Sequence, residues 1–364
     1  MKQSQVLLGA ILSTACLSIV RPAQAQVDPN FYVFLAFGQS NMEGHAMDYT
    51  DADKVSLPRF QELAAVSCTS APVRTKDQWV PAITPLFRCN TGLSPVDYFG
   101  RTLVDSLPTN IKIGLVPVAV AGTAIAGFDD RAYKAYYASQ ASWMQAIATQ
   151  YGGNPYGRLV EMAKIAQKTG VIKGILFHQG ETDGYMKGWG DTVKYVYNKL
   201  LTDLSLKAAD VPFLAGEVLP SNTGTNAGVD GLPKIIGSTA YVISSTGLTD
   251  VGDGFHYTAA AYRTFGKRYA QKMLAILRQS ATSIAPNANP SIPGLRVESS
   301  AQGMVIHSDL ALDHASLVSI RGEETVLGTG TDLRVLPGQL HPGVYFLRAA
   351  AAGANEVRKV LVER

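Results

Sequence analysis

The chain has 364 residues, 46% of them hydrophobic, and 32 Lys and Arg against 29 Asp and Glu give a formal net charge of +3. That length holds one large domain and something smaller, and so balanced a charge argues against a nucleic-acid partner or a patch for anionic membranes. No apolar run in the body of the chain reaches the roughly 20 residues that a membrane helix needs.

The first 26 residues, "MKQSQVLLGAILSTACLSIVRPAQAQ", carry a lysine near their start, continue through an apolar stretch and contain Ala23-Gln24-Ala25 near their end. This is the pattern of a secretory signal peptide cut after Ala25, and its small-residue exit fits cleavage better than a buried helix. Ser13 stands where a lipobox before Cys16 would have Leu, which argues against a lipoprotein. Cleavage would remove Lys2 and Arg21 and lower the net charge from +3 to +1. The expected location is secreted or at the cell surface, reached through the periplasm. Cys68 and Cys89 then remain in an exported chain, where a disulfide is permitted, with two unpaired buried thiols as the alternative. Neither has a Cys or His at metal-ligand spacing, so no metal is expected there.

From residue 31 to about 280, short apolar runs alternate with longer amphipathic ones. Residues 31–37, 113–120, 172–178, 212–217 and 240–245 read as strands, and 95–107, 157–170, 191–209 and 258–279 as helices. Near-continuous apolar strands separated by helices predict an α/β fold with a parallel sheet covered on both faces. Five strands suggest a flavodoxin-like, three-layer αβα core with its site at the carboxyl ends of the strands. Residues 47–90 interrupt the rhythm, and connections of that length usually form a wall of a binding site. A second irregular stretch, "FDDRAYKAYYASQASWMQ", is rich in aromatics that would line a sugar groove or pack on the core. A Pro/Asn/Ser linker at 281–294 leads to short alternating runs at 295–364, which predict a small all-β domain, a β-sandwich. The main domain would therefore span 26–280.

The polar stretches after the predicted strands carry the chemistry. Ser40 lies in "FGQSNMEGH", Gly122 in "VAVAGTA", Gln179 and Glu181 in "HQGETD", and Asp253 and His256 in "DVGDGFHYT". A serine hydroxyl is a poor nucleophile until a base takes its proton, and His256 is the candidate base. The imidazole needs a carboxylate to fix its tautomer, and both Asp253 and Glu181 are candidates. The N–H groups of Ser40 and Gly122, with the Gln179 side-chain amide, would serve an oxyanion. His178 reads as structural, holding the "QGE" loop, His45 as a loop residue near the site, and Asp183 as ordering the turn after Glu181. His307, His314 and His341 read as surface residues of the tail.

"FGQSNMEGH", "AGT", "HQGETD" and "DGFHYT", in that order over about residues 31–275, resemble the SGNH-hydrolase superfamily. More narrowly they resemble the sialate O-acetylesterase-related branch that includes carbohydrate esterase family 6 acetylxylan esterases. The resemblance implies a flavodoxin-like core and deacetylation of carbohydrate esters with no metal or other cofactor. It implies Ser40 as nucleophile and oxyanion donor, Gly122 and Gln179 as further donors, and His256 as base. For the orienting acid the superfamily pattern points to Asp253 and the branch to Glu181; the reading here favours Glu181, with Asp253 in support. The final stretch "LHPGVYFLRAAAAGANEVRKVLVER" is similar to the sorting domains of type IX secretion, which implies a secretion-machinery partner. A carbohydrate-binding β-sandwich would show more exposed aromatics than Tyr345 and Phe346.

The expected function is thus a secreted serine esterase acting on acetylated polysaccharide or oligosaccharide, xylan foremost. A sialate O-acetylesterase uses the same machinery. A non-catalytic glycan-binding protein would have no need of an activated nucleophile, and a lipase or thioesterase would call for an apolar acyl tunnel.

Overall fold

A computed structural model describes residues 27–283, 292–300, 303–319 and 322–362. The predicted signal peptide lies outside the described residues, as does most of the predicted linker. The chain divides into two compact units, Met1–Ile276 and Leu277–Arg364.

The larger unit is built on a sheet of seven strands: β1 (Phe31–Gly38), β2 (Phe60–Leu63), β3 (Trp79–Pro81), β4 (Lys112–Ala119), β5 (Val171–His178), β6 (Phe213–Gly216) and β7 (Ala240–Ile243). They lie in the order β3-β2-β4-β1-β5-β6-β7. All neighbours are parallel except β3, which runs antiparallel to β2 at the edge. The expected count of five strands is therefore corrected to seven. The five expected strands occupy β4-β1-β5-β6-β7, the flavodoxin-like order, and β2 and β3 extend the sheet beyond β4.

Almost every residue of β1 is buried, as a central strand covered on both faces requires. Alternate side chains go to opposite faces. Phe34 meets Phe99 of helix Pro95–Ser106 edge-on and lies beside Met273 of helix Ala259–Ser283. Val33, Leu35 and Phe37 join the opposite cluster, with Leu159 of helix Pro155–Ala166, Val193 and Tyr197 of helix Trp189–Asp203, and Val229 of helix Thr223–Ile236.

The 47–90 connection is well tied. A disulfide joins Cys68 to Cys89, with Cα atoms 5.6 Å apart; closing a loop of this size is worth about 3 kcal/mol by chain entropy. Buried Arg74 pairs with buried Glu62 at 2.7 Å and donates to the Leu86 carbonyl. Buried Asp53 accepts from Arg263 at 2.6 Å and from Tyr98 at 2.9 Å. Among the described residues, no helix is long and apolar enough to cross a membrane.

The smaller unit is all-β. Its strands β8 (Arg296–Ser300), β9 (Gly303–Ser319), β10 (Glu324–Val335), β11 (Gly343–Ala351) and β12 (Ala354–Val362) form antiparallel pairs. The long β9 pairs with β8 through its first residues and with β11 through its last, while β10 runs beside both stretches. Met304, Ile306, Leu317, Leu333 and Leu347 fill its core.

Candidate active site

Four strand ends converge. Gly38 closes β1 so near β5 that a Cβ there would stand 1.9 Å from the His178 carbonyl oxygen; only glycine fits. The chain then turns directly into a four-residue helix, Ser40–Glu43, and the N–H of Ser40 at its start has no intrahelical acceptor. Gly122 follows β4, and Glu181 follows β5 after two residues. His256 arrives on the loop between β7 and the last helix.

The Ser40 hydroxyl lies 3.0 Å from His256 Nε2, and His256 Nδ1 lies 2.6 Å from Asp253 Oδ2. The other oxygen, Asp253 Oδ1, accepts from the backbone N–H groups of Phe255 and His256, both at 2.8 Å. Partial burial would raise the Asp253 pKa, but these backbone bonds and the His256 ring outweigh it and hold it down at about 2. Asp253 is therefore a carboxylate at any working pH. Hydroxyl, imidazole and carboxylate in series can draw a proton off the serine oxygen.

Glu181 does not meet His256, so the preference for it as the orienting acid is corrected in favour of Asp253. Glu181 Oε1 instead accepts from the Asn41 amide at 2.5 Å and lies 2.9 Å from His178 Nε2. Burial pushes its pKa up, but His178 and Asn41 prevail and keep it below the ordinary value. Asn41 also donates to the Phe255 carbonyl at 2.8 Å, while its side-chain oxygen accepts from Tyr262 Oη at 2.6 Å and from the Tyr257 N–H. Among the described residues, the hydrogen-bonded path from Glu181 to the histidine loop runs through Asn41.

Gln179 is the second correction. Its amide nitrogen is fully buried and donates to Asp183 at 2.5 Å, to Gln39 at 3.1 Å and to the Thr123 carbonyl at 3.2 Å. Its oxygen accepts from Trp189 Nε1. The side chain braces the loops from behind and is absent from the lining of the cleft. Asp183 accepts from the Ile125 N–H as well, which fastens the turn after Glu181 to the loop after β4.

The cleft has a volume of about 380 Å³, with Ser40, His256, Gly122, Trp143, Thr182 and Phe255 among its walls. Sequence reasoning did not single out Gln39, Asn41, Thr182 or Phe255, although each lies inside a motif quoted for a neighbour. Trp143 and Phe255 are 53% and 55% exposed, an unusual state for large apolar side chains beside a cleft. No Lys or Arg lines it among the described residues.

His45, Asp253 and His256 place possible ligand atoms within 4.8 Å of one another. The two imidazoles are stacked, however, with planes 16° from parallel. Ring-nitrogen lone pairs lie in the ring planes, so stacked rings do not converge on one ion.

The family model "SASA: Carbohydrate esterase, sialic acid-specific acetylesterase" matches residues 30–275. The chain belongs to this family. The SASA match covers all of the residues just described. Among solved structures, a protein from Arabidopsis thaliana is 22% identical with a TM-score of 0.52, over 68% of this chain and 99% of that one. NanS is 16% identical with a TM-score of 0.53, over 70% of this chain and 100% of that one. At these identities the two likenesses establish the shared fold. This SASA protein is thus a carbohydrate acetylesterase by family, and its substrate is an acetylated carbohydrate.

Proposed function

We propose that the chain is an exported serine esterase that removes O-acetyl groups from a neutral polysaccharide, acetylated xylan foremost. The observation that carries the reading is the Ser40–His256–Asp253 relay at 3.0 and 2.6 Å inside an open cleft. Ser40 Oγ attacks the acetyl carbonyl carbon as its proton passes to His256 Nε2, and the carbonyl π pair moves onto oxygen. The N–H groups of Ser40 and Gly122 are the proposed donors to that oxyanion. Collapse breaks the bond to the sugar oxygen, which takes the proton from His256 and leaves acetyl-Ser40. Water, deprotonated by His256, then attacks the acetyl carbon, and the bond to Ser40 Oγ breaks as that oxygen takes the proton back from His256 and acetate leaves.

The absence of Lys and Arg from the cleft walls among the described residues supports a neutral sugar over sialic acid, whose carboxylate is best met by a cation. Exposed Trp143 and Phe255 suit the apolar faces of a sugar chain. Export, with the β unit at 295–364 acting as a sorting domain, is supported by the leader pattern and by the tail motif.

The test is acetate release from acetylated xylan and from O-acetyl sialic acid, with Ser40→Ala alongside. Release from xylan that vanishes in the variant is expected. Preference for the sialic acid overturns the substrate class, and release that survives Ser40→Ala overturns the mechanism. No release from either restores the glycan-binding reading. A mature N-terminus at Gln26, on protein recovered outside the cell, is the expected mark of export.

A further inference from the structure

The His45 imidazole lies face to face with that of His256, ring centroids 3.6 Å apart. Resting on the serine mechanism above, we propose that His45 is a positioning residue that sets the plane of the His256 ring and covers one of its faces during proton transfer.

The relay makes two demands on one ring, since Nε2 must face Ser40 while Nδ1 faces Asp253. The Asp253 contact fixes one edge but leaves the ring free to rock about that hydrogen bond. A flat surface against the ring face removes this freedom. Phe255, the adjacent aromatic, stands 6.5 Å away at 53° and does not stack. His45 is the aromatic in face-to-face contact.

Its own backbone is anchored for the task. On one side Gly44 donates to Ser40 O and accepts from the Gly92 N–H at 2.9 Å; on the other, Ala46 accepts from the Leu93 N–H at 2.9 Å. The two chains cross so closely that a Cβ on Gly44 would meet Gly92 O at 2.4 Å, and one on Gly92 would meet Ala46 O at 2.3 Å. Gly44 also has φ of +99°, which disfavours a side chain. Behind this crossing, Arg88 pairs with buried Glu43 at 2.5 Å, and Cys89 carries the disulfide. His45 therefore stands on a fixed support although its outer face is open to water.

Charge permits the stack. Burial against the site, and then the neighbouring His256, push the His45 pKa below its ordinary value, with Asp253 opposing. A neutral ring lies beside His256 when the latter takes the Ser40 proton, so no second cation competes with the imidazolium.

The experiment compares His45→Ala, His45→Phe and Ser40→Ala on p-nitrophenyl acetate, with thermal midpoints measured for each. His45→Ala should lower kcat about tenfold, with KM changed by less than about twofold, as expected when a reacting group is misplaced but substrate contacts persist. His45→Phe restores a flat face without a titratable nitrogen and should recover to within about threefold of the parent. Parent-like kcat in His45→Ala overturns the proposal. So does a His45→Phe as slow as His45→Ala, because a hydrogen-bonding role would then be needed. Hydrolysis surviving Ser40→Ala defeats the serine mechanism itself, whereas loss in Ser40→Ala with no effect of His45→Ala defeats this inference alone.

Discussion

Asp253 holds His256 twice over: one carboxylate oxygen accepts the imidazole Nδ1–H at 2.6 Å, and the other accepts the backbone N–H of the same residue at 2.8 Å. Side chain and backbone of the proposed base are thus registered by one exposed group. Asp253→Asn keeps the size and some of these bonds but favours the wrong imidazole tautomer. Its kcat should fall on the order of 10³-fold, with stability within about 0.5 kcal/mol of the parent. Acetate release and urea denaturation, run on the same sample, check both halves.

Glu181→Gln should show the opposite balance. The Glu181 side chain is 6% exposed and its carboxylate serves both His178 and Asn41. Loss of the charge leaves buried donors poorly matched, at a cost of about 1–3 kcal/mol in denaturation experiments. Because Asn41 links Glu181 to the Phe255 carbonyl, kcat should fall by about tenfold, less than in Asp253→Asn. A larger rate loss in Glu181→Gln than in Asp253→Asn would reverse the assignment of the orienting acid.

Trp143 stands against Gly122, where a Cβ would meet its ring at 2.9 Å, and presents 53% of its surface. Trp143→Ala should raise KM for acetylated xylo-oligosaccharides by about threefold to tenfold, the worth of one aromatic face. Hydrolysis of p-nitrophenyl acetate, which has no sugar to stack, should be unchanged. An equal loss on both substrates would mean that Trp143 shapes the cleft without contacting the sugar.

The Asp53–Arg263 pair yields a pH test. Hydrogen bonds from Arg263 are foremost in holding the buried Asp53 carboxyl well below its ordinary pKa, against the effect of burial. A depressed folded-state pKa stabilises fully above the unfolded value of about 4 and is lost as pH falls below it. Asp53→Asn should therefore cost about 2–3 kcal/mol at pH 7. The gap from the parent should hold down to about pH 4 and narrow below that. Denaturation at pH 7, 5 and 3 measures it; a gap independent of pH would show that Asp53 acts by shape alone.

The five strands from β1 to β7 that a reader can find are those with unbroken apolar runs, because burial on both faces leaves no room for polar residues. β2 and β3 are four and three residues long, "FQEL" and "WVP", too short for any period to show. Helix Thr223–Ile236 was equally hidden, since it contains three glycines and Pro233 and is stabilised by what it packs against. Ser40, Asp253 and His256 were legible because each follows a strand. Which carboxylate reaches the imidazole depends on loop paths of a few ångströms, which composition does not encode. The same is true of Gln179, whose amide turns inward to Asp183 and Gln39. His45 could be placed near the site from its motif, but its stacking could not.

The order of the sheet has a consequence for how activity arises. Its central strand, β1, ends at Gly38 two residues before Ser40, while the imidazole that meets the hydroxyl is 216 residues further along the chain. Between them the chain must lay down β4 and β5 on either side of β1 and then β6 and β7 at the rim. Contacts so distant in sequence form late and slowly. A chain emerging from synthesis or dilution out of denaturant is therefore expected to hold Ser40 well before the imidazole proposed as its base reaches it. The return of ester hydrolysis after unfolding times the last crossover of the sheet, and an ordinary enzyme assay becomes a clock for the completion of the fold.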